Sequence, residues 1–150
     1  MNMVIEIDDF KNEHAFFSPP VKNTVIEEGS FVKLIYSNSI TSLSSVYIQV
    51  PFRFLYIERY FNKLKYSFDI TTDFYNREII EKLYLIEKSI LEKINIAKKP
   101  IFHLYNKLTK GVIRMVSERE HINVPERCIF LKISGVWETQ YNYGLTFKFV

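Results

Sequence analysis

Residues 127 to 150 read RCIFLKISGVWETQYNYGLTFKFV, and we expect the rest of the chain to be built around this closing stretch. Its large apolar residues fall on every second position, namely Ile129, Leu131 and Ile133, and then Leu145, Phe147 and Phe149. A period of two residues is typical of β-strands, because successive side chains point to opposite faces of a sheet. The stretch therefore predicts two closing strands, with turn residues at Asn142-Tyr143-Gly144 between them.

Gly135 interrupts the first of these strand patterns, and Trp137, the single tryptophan, follows it. A glycine inside a strand indicates a β-bulge, a barrel corner or a close approach of another backbone. On an unbroken strand Lys132 and Trp137 would point to opposite faces, because their numbers differ by an odd count. A bulge at Gly135 would bring them to the same face, and the sequence leaves the two arrangements open.

Composition predicts one domain that spans residues 1 to 150. The 17.9 kDa chain has 47% hydrophobic and 16% aromatic residues, which suffices for one sizeable core. The lone cysteine, Cys128, excludes an internal disulfide framework, fits a reducing compartment and is expected to be a buried apolar side chain. No basic signal sequence and no membrane-length apolar run is visible. We therefore expect an intracellular, soluble protein without a membrane partner, in the host cytoplasm or nucleus if it is viral.

Charge is distributed unevenly along the chain. Residues 1 to 28 contain six acidic and two basic residues, whereas residues 29 to 150 contain 18 basic and 11 acidic residues. The sequence pI is about 8.9. A basic body favours polyanionic partners. The first 28 residues are predicted to form a polar, acidic arm with a short edge strand at 3 to 7.

Strand patterns dominate residues 29 to 71. The predicted strands are 24–26 and 31–36, joined as a hairpin through Glu28-Gly29-Ser30, then 46–50 and 64–70. Ser37 to Ser45 is expected to be a loop, and Pro51 is expected to end the strand before it. The aromatic stretch from Phe52 to Phe61 fits no single pattern.

A helical period follows. Apolar residues recur at three- and four-residue steps through Ile79, Leu83, Ile86, Ile90 and Ile94, with charged residues between them. The pattern predicts one amphipathic helix over 74–97, capped by Thr71-Thr72-Asp73 and stopped by Pro100. We expect it to cover a sheet, with a coiled-coil dimer as the alternative.

The pattern of residues 101–150 predicts further strands, at 101–108 and 111–116 before the closing pair. A turn is expected at 109–111 and a charged loop at 117–125.

Catalytic, cofactor and metal motifs are absent from the sequence. His14, His103 and His121 are scattered without ligand spacing, and the four glycines build no phosphate-binding loop. We therefore predict no cofactor, no metal and no enzymatic activity.

Aromatic and basic residues are interleaved on the predicted strands. This combination suits single-stranded nucleic acid, because rings stack on bases while cations neutralise phosphates. For any individual ring the alternative is a place in the core. The predicted nucleic-acid-binding residues are Lys33, Tyr36, Tyr47, Arg53, Phe54, Tyr56, Arg59, Lys65, Lys107, Lys110, Arg114, Lys132 and Trp137.

The order of strands, one long helix and more strands predicts a mainly β protein of the α+β class, with an OB-fold-like five-stranded barrel whose helix is inserted between strands 3 and 4. This layout, with PVKNTVIEEGSFVKLIYSN near the front and IFLKISGVWETQYNYGLTFKFV at the end, resembles viral and phage single-stranded DNA-binding proteins of replication. The resemblance implies sequence-independent binding of single-stranded DNA in preference to RNA, and contacts with replication proteins. Phage members often end in an acidic tail, whereas here the acids lie at the front, so we expect residues 1 to 28 to compete for the groove or dock a partner.

A second hypothesis also fits the sequence. The protein would be a non-enzymatic structural or protein-interaction subunit that forms a homo-oligomer through aromatic-rich strands. Such an oligomer would keep its size with or without nucleic acid, which separates the two hypotheses.

Overall fold

The computed structural model describes residues 4–22, 29–38, 42–116 and 129–150. Within them the chain is mainly β with one long helix and two sheets. The strands are β1 Val4–Glu6, β2 Ala15–Phe17, β3 Val21–Lys22, β4 Ser30–Ser37, β5 Ser42–Leu43, β6 Val46–Val50, β7 Phe54–Tyr60, β8 Lys63–Phe68, β9 Lys99–Ile101, β10 Val112–Val116, β11 Ile129–Glu138 and β12 Asn142–Phe149. The helices are α1 Phe74–Ile94 and α2 His103–Leu108.

The closing stretch is the centre of the larger sheet. β11 pairs with β12 along one edge, and with β6 and then β4 along the other, all antiparallel. β1 adds parallel to β6, and β9 adds parallel to β12. β2 and β3 line β4, and β5 pairs with its end. The prediction of two closing strands is confirmed.

The second sheet has three described strands in the order β10-β8-β7, all antiparallel. It contains the aromatic stretch whose structure the sequence left open, which is now β7. Since β7 and β10 pair only with β8 among the described strands, the two sheets do not close into one barrel. The predicted five-stranded OB barrel is therefore not confirmed, because closure requires a continuous hydrogen-bonded ladder around the molecule.

The pairing of β11 with β12 answers the question about Gly135. Ile133 pairs with Phe147 and Gly135 pairs with Thr146, so one extra residue, Ser134, lies on β11. This two-against-one arrangement is a β-bulge. β11 continues through the bulge to Glu138, and the turn lies at 139–141 rather than at the predicted Asn142-Tyr143-Gly144, which begin β12.

The long helix forms where the apolar period places it. The Asp73 carboxylate accepts hydrogen bonds from the backbone N–H groups of Tyr75 and Asn76, which confirms the predicted cap. The helix ends at Ile94, three residues before the predicted end. Asn95 adopts a left-handed conformation with φ of 52° and closes the helix.

Helix α1 covers the inner face of the larger sheet, as predicted. Its buried residues include Ile79, Leu83 and Ile90, and the Tyr143 hydroxyl of β12 donates to the Leu91 carbonyl at 3.4 Å. The core lies between this helix and the inward residues of both sheets, such as Leu131 and Tyr66. No helix in the described ranges has the length and apolar character that crossing a membrane requires.

Residues 101–108 are not the strand that the sequence predicted. Only Lys99–Ile101 is extended, and His103–Leu108 forms α2. Both carboxylate oxygens of Glu87, on α1, accept from the first backbone N–H groups of α2, at Leu104 (3.0 Å) and Tyr105 (3.1 Å). A cap supplied by a distant side chain thus favours the helix.

The described part of the acidic segment is built into the sheet. β1 extends β6, β2 and β3 line β4, and Ile5, Ile7 and Ala15 are buried in the core. The short edge strand predicted at 3 to 7 is thus present as β1, and over residues 4–22 the predicted arm is part of the sheet. The predicted 24–26 strand with its turn to Gly29, the loop at 117–125 and Cys128 lie wholly or mainly outside the described residues.

Candidate nucleic-acid interface

The outward face of the larger sheet combines rings and lysines in paired rows. Side chains directly opposite each other on antiparallel strands share a face. One row joins Tyr47, Lys132 and Lys148, the next joins Lys33, Gly135 and Thr146, and the third joins Phe31, Trp137 and Gly144. We name the following residues the aromatic-basic face: Phe31, Lys33, Tyr47, Phe130, Lys132, Trp137 and Lys148.

Three lysines concentrate positive charge on this face. Lys132 lies directly opposite Lys148 on β12, and Lys33 lies in the adjacent row about 7 Å along the strands. Like charges directly opposite each other destabilise a sheet. No ion pair to any of the three is found within the described ranges. One carboxylate, Glu6, lies on the adjacent edge strand opposite Gln49. The face therefore has a net positive charge that an anionic ligand would neutralise.

Two glycines allow the rings to lie against the sheet. A Cβ on Gly144 would come within 2.6 Å of Trp137 Cζ2, and a Cβ on Gly135 within 2.7 Å of Phe31 Cζ. Each ring thus covers a glycine on the neighbouring strand, and both side chains remain half-exposed. Rings held in this way are suited to stacking with a planar ligand.

The bulge decides which side chains share this face. Lys132 pairs before it and Trp137 after it, and both lie opposite outward residues of β12, Lys148 and Gly144. Leu131, Ile133 and Val136 point inward and are buried. Without the extra residue Ser134, the tryptophan would point into the core. The sequence left both arrangements open, and the bulged one is present.

Lysine 132 also contacts a ring on the face. Its Nζ lies 5.7 Å from the centroid of Tyr47, directly across the β6–β11 pair. A cation over an aromatic face is a favourable arrangement. Four predicted residues, Lys33, Tyr47, Lys132 and Trp137, thus come together on the aromatic-basic face.

A second group of predicted residues lies on the three-stranded sheet. Tyr56, Lys65 and Arg114 share its outward face, where Lys65 is opposite both Glu58 and Arg114. The Lys65 Nζ lies 3.8 Å from the Glu58 carboxylate. Phe54 and Arg59 pair with inward residues of β8, and Phe54 packs on Tyr66 at 4.9 Å between centroids. These residues belong to a different surface from the aromatic-basic face.

The remaining predicted residues lie elsewhere. Tyr36 is buried, stacks on Phe10 and accepts a hydrogen bond from the Lys11 N–H, so it cannot stack on a base. Arg53 lies 4.3 Å from the ring centroid of Tyr75. Lys107 lies over Phe147, which belongs to the inward set of β12, and Lys110 is exposed in the turn before β10.

Phe31, Phe130 and Lys148 complete the aromatic-basic face and were missing from the predicted residues. Phe31 could have been recognised from the sequence, because it lies two residues before Lys33 and therefore shares a strand face with it. The place of Phe130 and Lys148 follows only from the register of β11 with its neighbours, which the sequence does not state.

Glu87 is the buried acid of the described core. Burial raises its pKa from 4.5 to about 7, although its hydrogen bonds from the Leu104 and Tyr105 N–H groups act in the opposite direction. It caps α2 and does not reach the aromatic-basic face. Among the described residues no group of three or more histidine, cysteine or acidic side chains could hold a metal ion.

Comparisons with protein-family models, with curated proteins and with solved structures find no match to this chain.

Proposed function

We propose that this protein binds single-stranded DNA, largely without sequence preference, through the aromatic-basic face. The observation that carries the proposal is the row that joins Tyr47, Lys132 and Lys148, followed two rows later on the same face by Trp137. Cations at these places neutralise phosphates, and the rings stack on bases of any sequence. A role in viral replication or recombination is part of the proposal and is supported only by the layout of the sequence.

An open sheet can serve this purpose without a closed OB barrel. The described rows from Phe130 to Trp137 span about 20 Å along the strands, enough for a short stretch of extended nucleic acid. The two half-exposed rings already lie against the backbone at Gly135 and Gly144, so we expect little side-chain freedom to be lost on binding.

A salt titration tests the proposal. We expect a fluorescein-labelled dT30 strand to bind at low salt, to quench Trp137 emission and to dissociate as salt rises. Three phosphate contacts on a single strand correspond to a slope of log K against log salt of about −2. Duplex DNA and U30 serve as comparison ligands. Failure of dT30 to bind at low salt would contradict the proposal.

A second candidate function is supported by the β7–β8 hairpin of the three-stranded sheet. The β7–β8 hairpin exposes a large fraction of three apolar side chains, Leu55 (64%), Tyr60 (72%) and Phe61 (81%). Val116 on β10, which pairs with Lys63 of the hairpin, is also exposed. Clustered exposed apolar residues mark interaction surfaces. The protein would then be a structural subunit that self-associates through this hairpin.

Light scattering separates the second candidate from the first. The second candidate function predicts an oligomer whose mass is the same with and without dT30. The double substitution Tyr60→Ser/Phe61→Asn should convert this oligomer to a monomer. Asparagine suits the left-handed conformation of position 61, where φ is 54°. A monomer at all protein concentrations would exclude self-association.

A further inference from the structure

A cavity of about 610 Å³ lies where α1, β9 and α2 meet. Its walls carry three rings, Tyr84, Phe102 and Tyr105, with Tyr84 between the other two at centroid distances of 5.5 and 4.8 Å. Its volume falls in the range of small-ligand sites. We name it the α1–α2 pocket.

Three polar side chains of different chemistry also line this pocket: the carboxylate of Glu81, the ammonium group of Lys99 and the amide of Asn106. Within the part of the chain that the structure describes, none of the three side chains has a hydrogen bond or an ion pair. An acceptor, a cation and a mixed donor and acceptor are therefore available together beside aromatic rings.

The pocket adjoins the aromatic-basic face. Ile101, one of its lining residues, pairs with Gly144, the glycine that the Trp137 ring covers. The Trp137 ring also lies 5.5 Å from that of His103, the first residue of α2. In the order of the sheet a single strand, β12, lies between Trp137 on β11 and the pocket wall on β9, and adjacent strands are about 4.8 Å apart.

We propose that the α1–α2 pocket binds a nucleobase, taken from a strand that lies on the aromatic-basic face. This inference rests on the proposed function. Proteins that bind unstacked bases place them on aromatic side chains and hydrogen-bond their edges. Tyr84 or Tyr105 supplies the ring, Asn106 and Glu81 bind the base edge, and Lys99 binds the attached phosphate.

The polar groups also indicate which bases are preferred. A carboxylate only accepts hydrogen bonds, so Glu81 favours bases with an exocyclic amine, and an asparagine amide pairs with adenine. Thymine has only its N3–H to donate to this carboxylate, whereas adenine has both hydrogens of its exocyclic amine. The pocket therefore binds adenine better than thymine. A simple organic cation fits less well, because the ammonium group of Lys99 lines the same pocket.

Nuclear magnetic resonance titration with dAMP and dTMP tests the pocket directly. We expect dAMP to shift the amide signals of Phe102, Tyr105 and Asn106 more strongly than dTMP does. Asn106→Ala, an exposed position in α2, should weaken dAMP binding several-fold without unfolding the protein. Absence of shifts at these amides, or shifts that Asn106→Ala leaves unchanged, would overturn the proposal.

Oligonucleotide binding distinguishes this proposal from the proposed function. In dA30 binding, Tyr105→Leu should lower the affinity roughly 5-fold or more, whereas the control Tyr60→Leu, at the hairpin tip, should not. If Lys132→Ala/Lys148→Ala abolishes dA30 binding but Tyr105→Leu and Asn106→Ala have no effect, the pocket proposal is wrong and the proposed function stands. If dAMP binds but no oligonucleotide does, the nucleobase site stands and the proposed function is wrong.

Discussion

The ring of Trp137 on β11 covers Gly144 on β12, close enough that a Cβ at position 144 would lie 2.6 Å from Trp137 Cζ2 and 2.9 Å from the Ile101 carbonyl oxygen. The glycine therefore fixes where the ring lies on the aromatic-basic face. It also connects that face to β9 and to the α1–α2 pocket, since Ile101 belongs to both contacts.

Gly144→Ala should displace the Trp137 ring. We expect a loss of about 1–3 kcal/mol in the free energy of unfolding, because the added methyl group overlaps a ring and a carbonyl oxygen. Urea denaturation measures the loss, and a red shift of Trp137 emission reports the displaced ring. Thr146→Ala, on the same strand, is the control. Equal stability and equal emission in the two variants would contradict this packing.

Gly135→Ala should be more damaging than Gly144→Ala. Its Cβ would lie 2.1 Å from the Val32 carbonyl oxygen, so the β4 and β11 backbones would have to separate at the bulge. We expect a loss of more than about 3 kcal/mol in the free energy of unfolding, measured by the same denaturation. A loss below that of Gly144→Ala would show that the two strands are not as close as the structure places them.

Asn76→Ala should destabilise the junction between the sheets and α1. The buried Asn76 amide accepts from the Arg53 N–H at 2.8 Å and donates to the Arg53 and Asp69 carbonyl oxygens at 3.0 Å each. Leaving three backbone groups without partners should cost on the order of 2–4 kcal/mol in thermal or urea unfolding. Arg77→Ala, exposed on the next position, should change the stability by less than about 1 kcal/mol.

Glu87 should make the stability depend on pH. Its pKa is raised from 4.5 to about 7 in the folded protein, so the folded state retains a proton that the unfolded state releases between these values. The contribution to stability is complete below pH 4.5 and disappears as the pH rises through about 7. A shift of this size corresponds to about 3 kcal/mol.

Glu87→Gln removes this titration and provides the test. The difference in free energy of unfolding between the native protein and the variant should move in favour of the variant from pH 5 to pH 8. Glu138 does not interfere, because the hydrogen bond from Lys98 lowers its pKa and places its titration below this range. A difference that is constant with pH would show that Glu87 does not hold its proton in the folded state.

The parts of the fold that depend on local pattern were predictable from the sequence. The alternation in β11 and β12, the apolar period of α1 and its Asp73 cap are all local signals. Residues 103–108 were predicted wrongly because their helix is capped by Glu87 on another element, a contact that no local pattern reveals. The absence of a closed barrel is likewise set by long-range pairing.

The candidate interface was predictable only in part, for a related reason. Alternation states which residues share a face but not which face is buried when both carry large side chains. Tyr36 was therefore placed in the interface although Phe10 and the Lys11 N–H hold it in the core. Lys132 and Trp137 were named together, but only the extra residue Ser134 in the β11 register places them on one face.

We expect the lysines of the aromatic-basic face to bind the phosphates of a single strand. Salt-titrated fluorescence anisotropy with dT30 on Lys132→Ala/Lys148→Ala provides the test, with Lys63→Ala/Lys88→Ala, two exposed lysines outside that face, as a control of equal net charge. We expect the first variant to lose affinity and its slope of log K against log salt to become shallower by about 1.4, whereas the control should keep nearly the native values. Equal affinities and slopes in the two variants would contradict it.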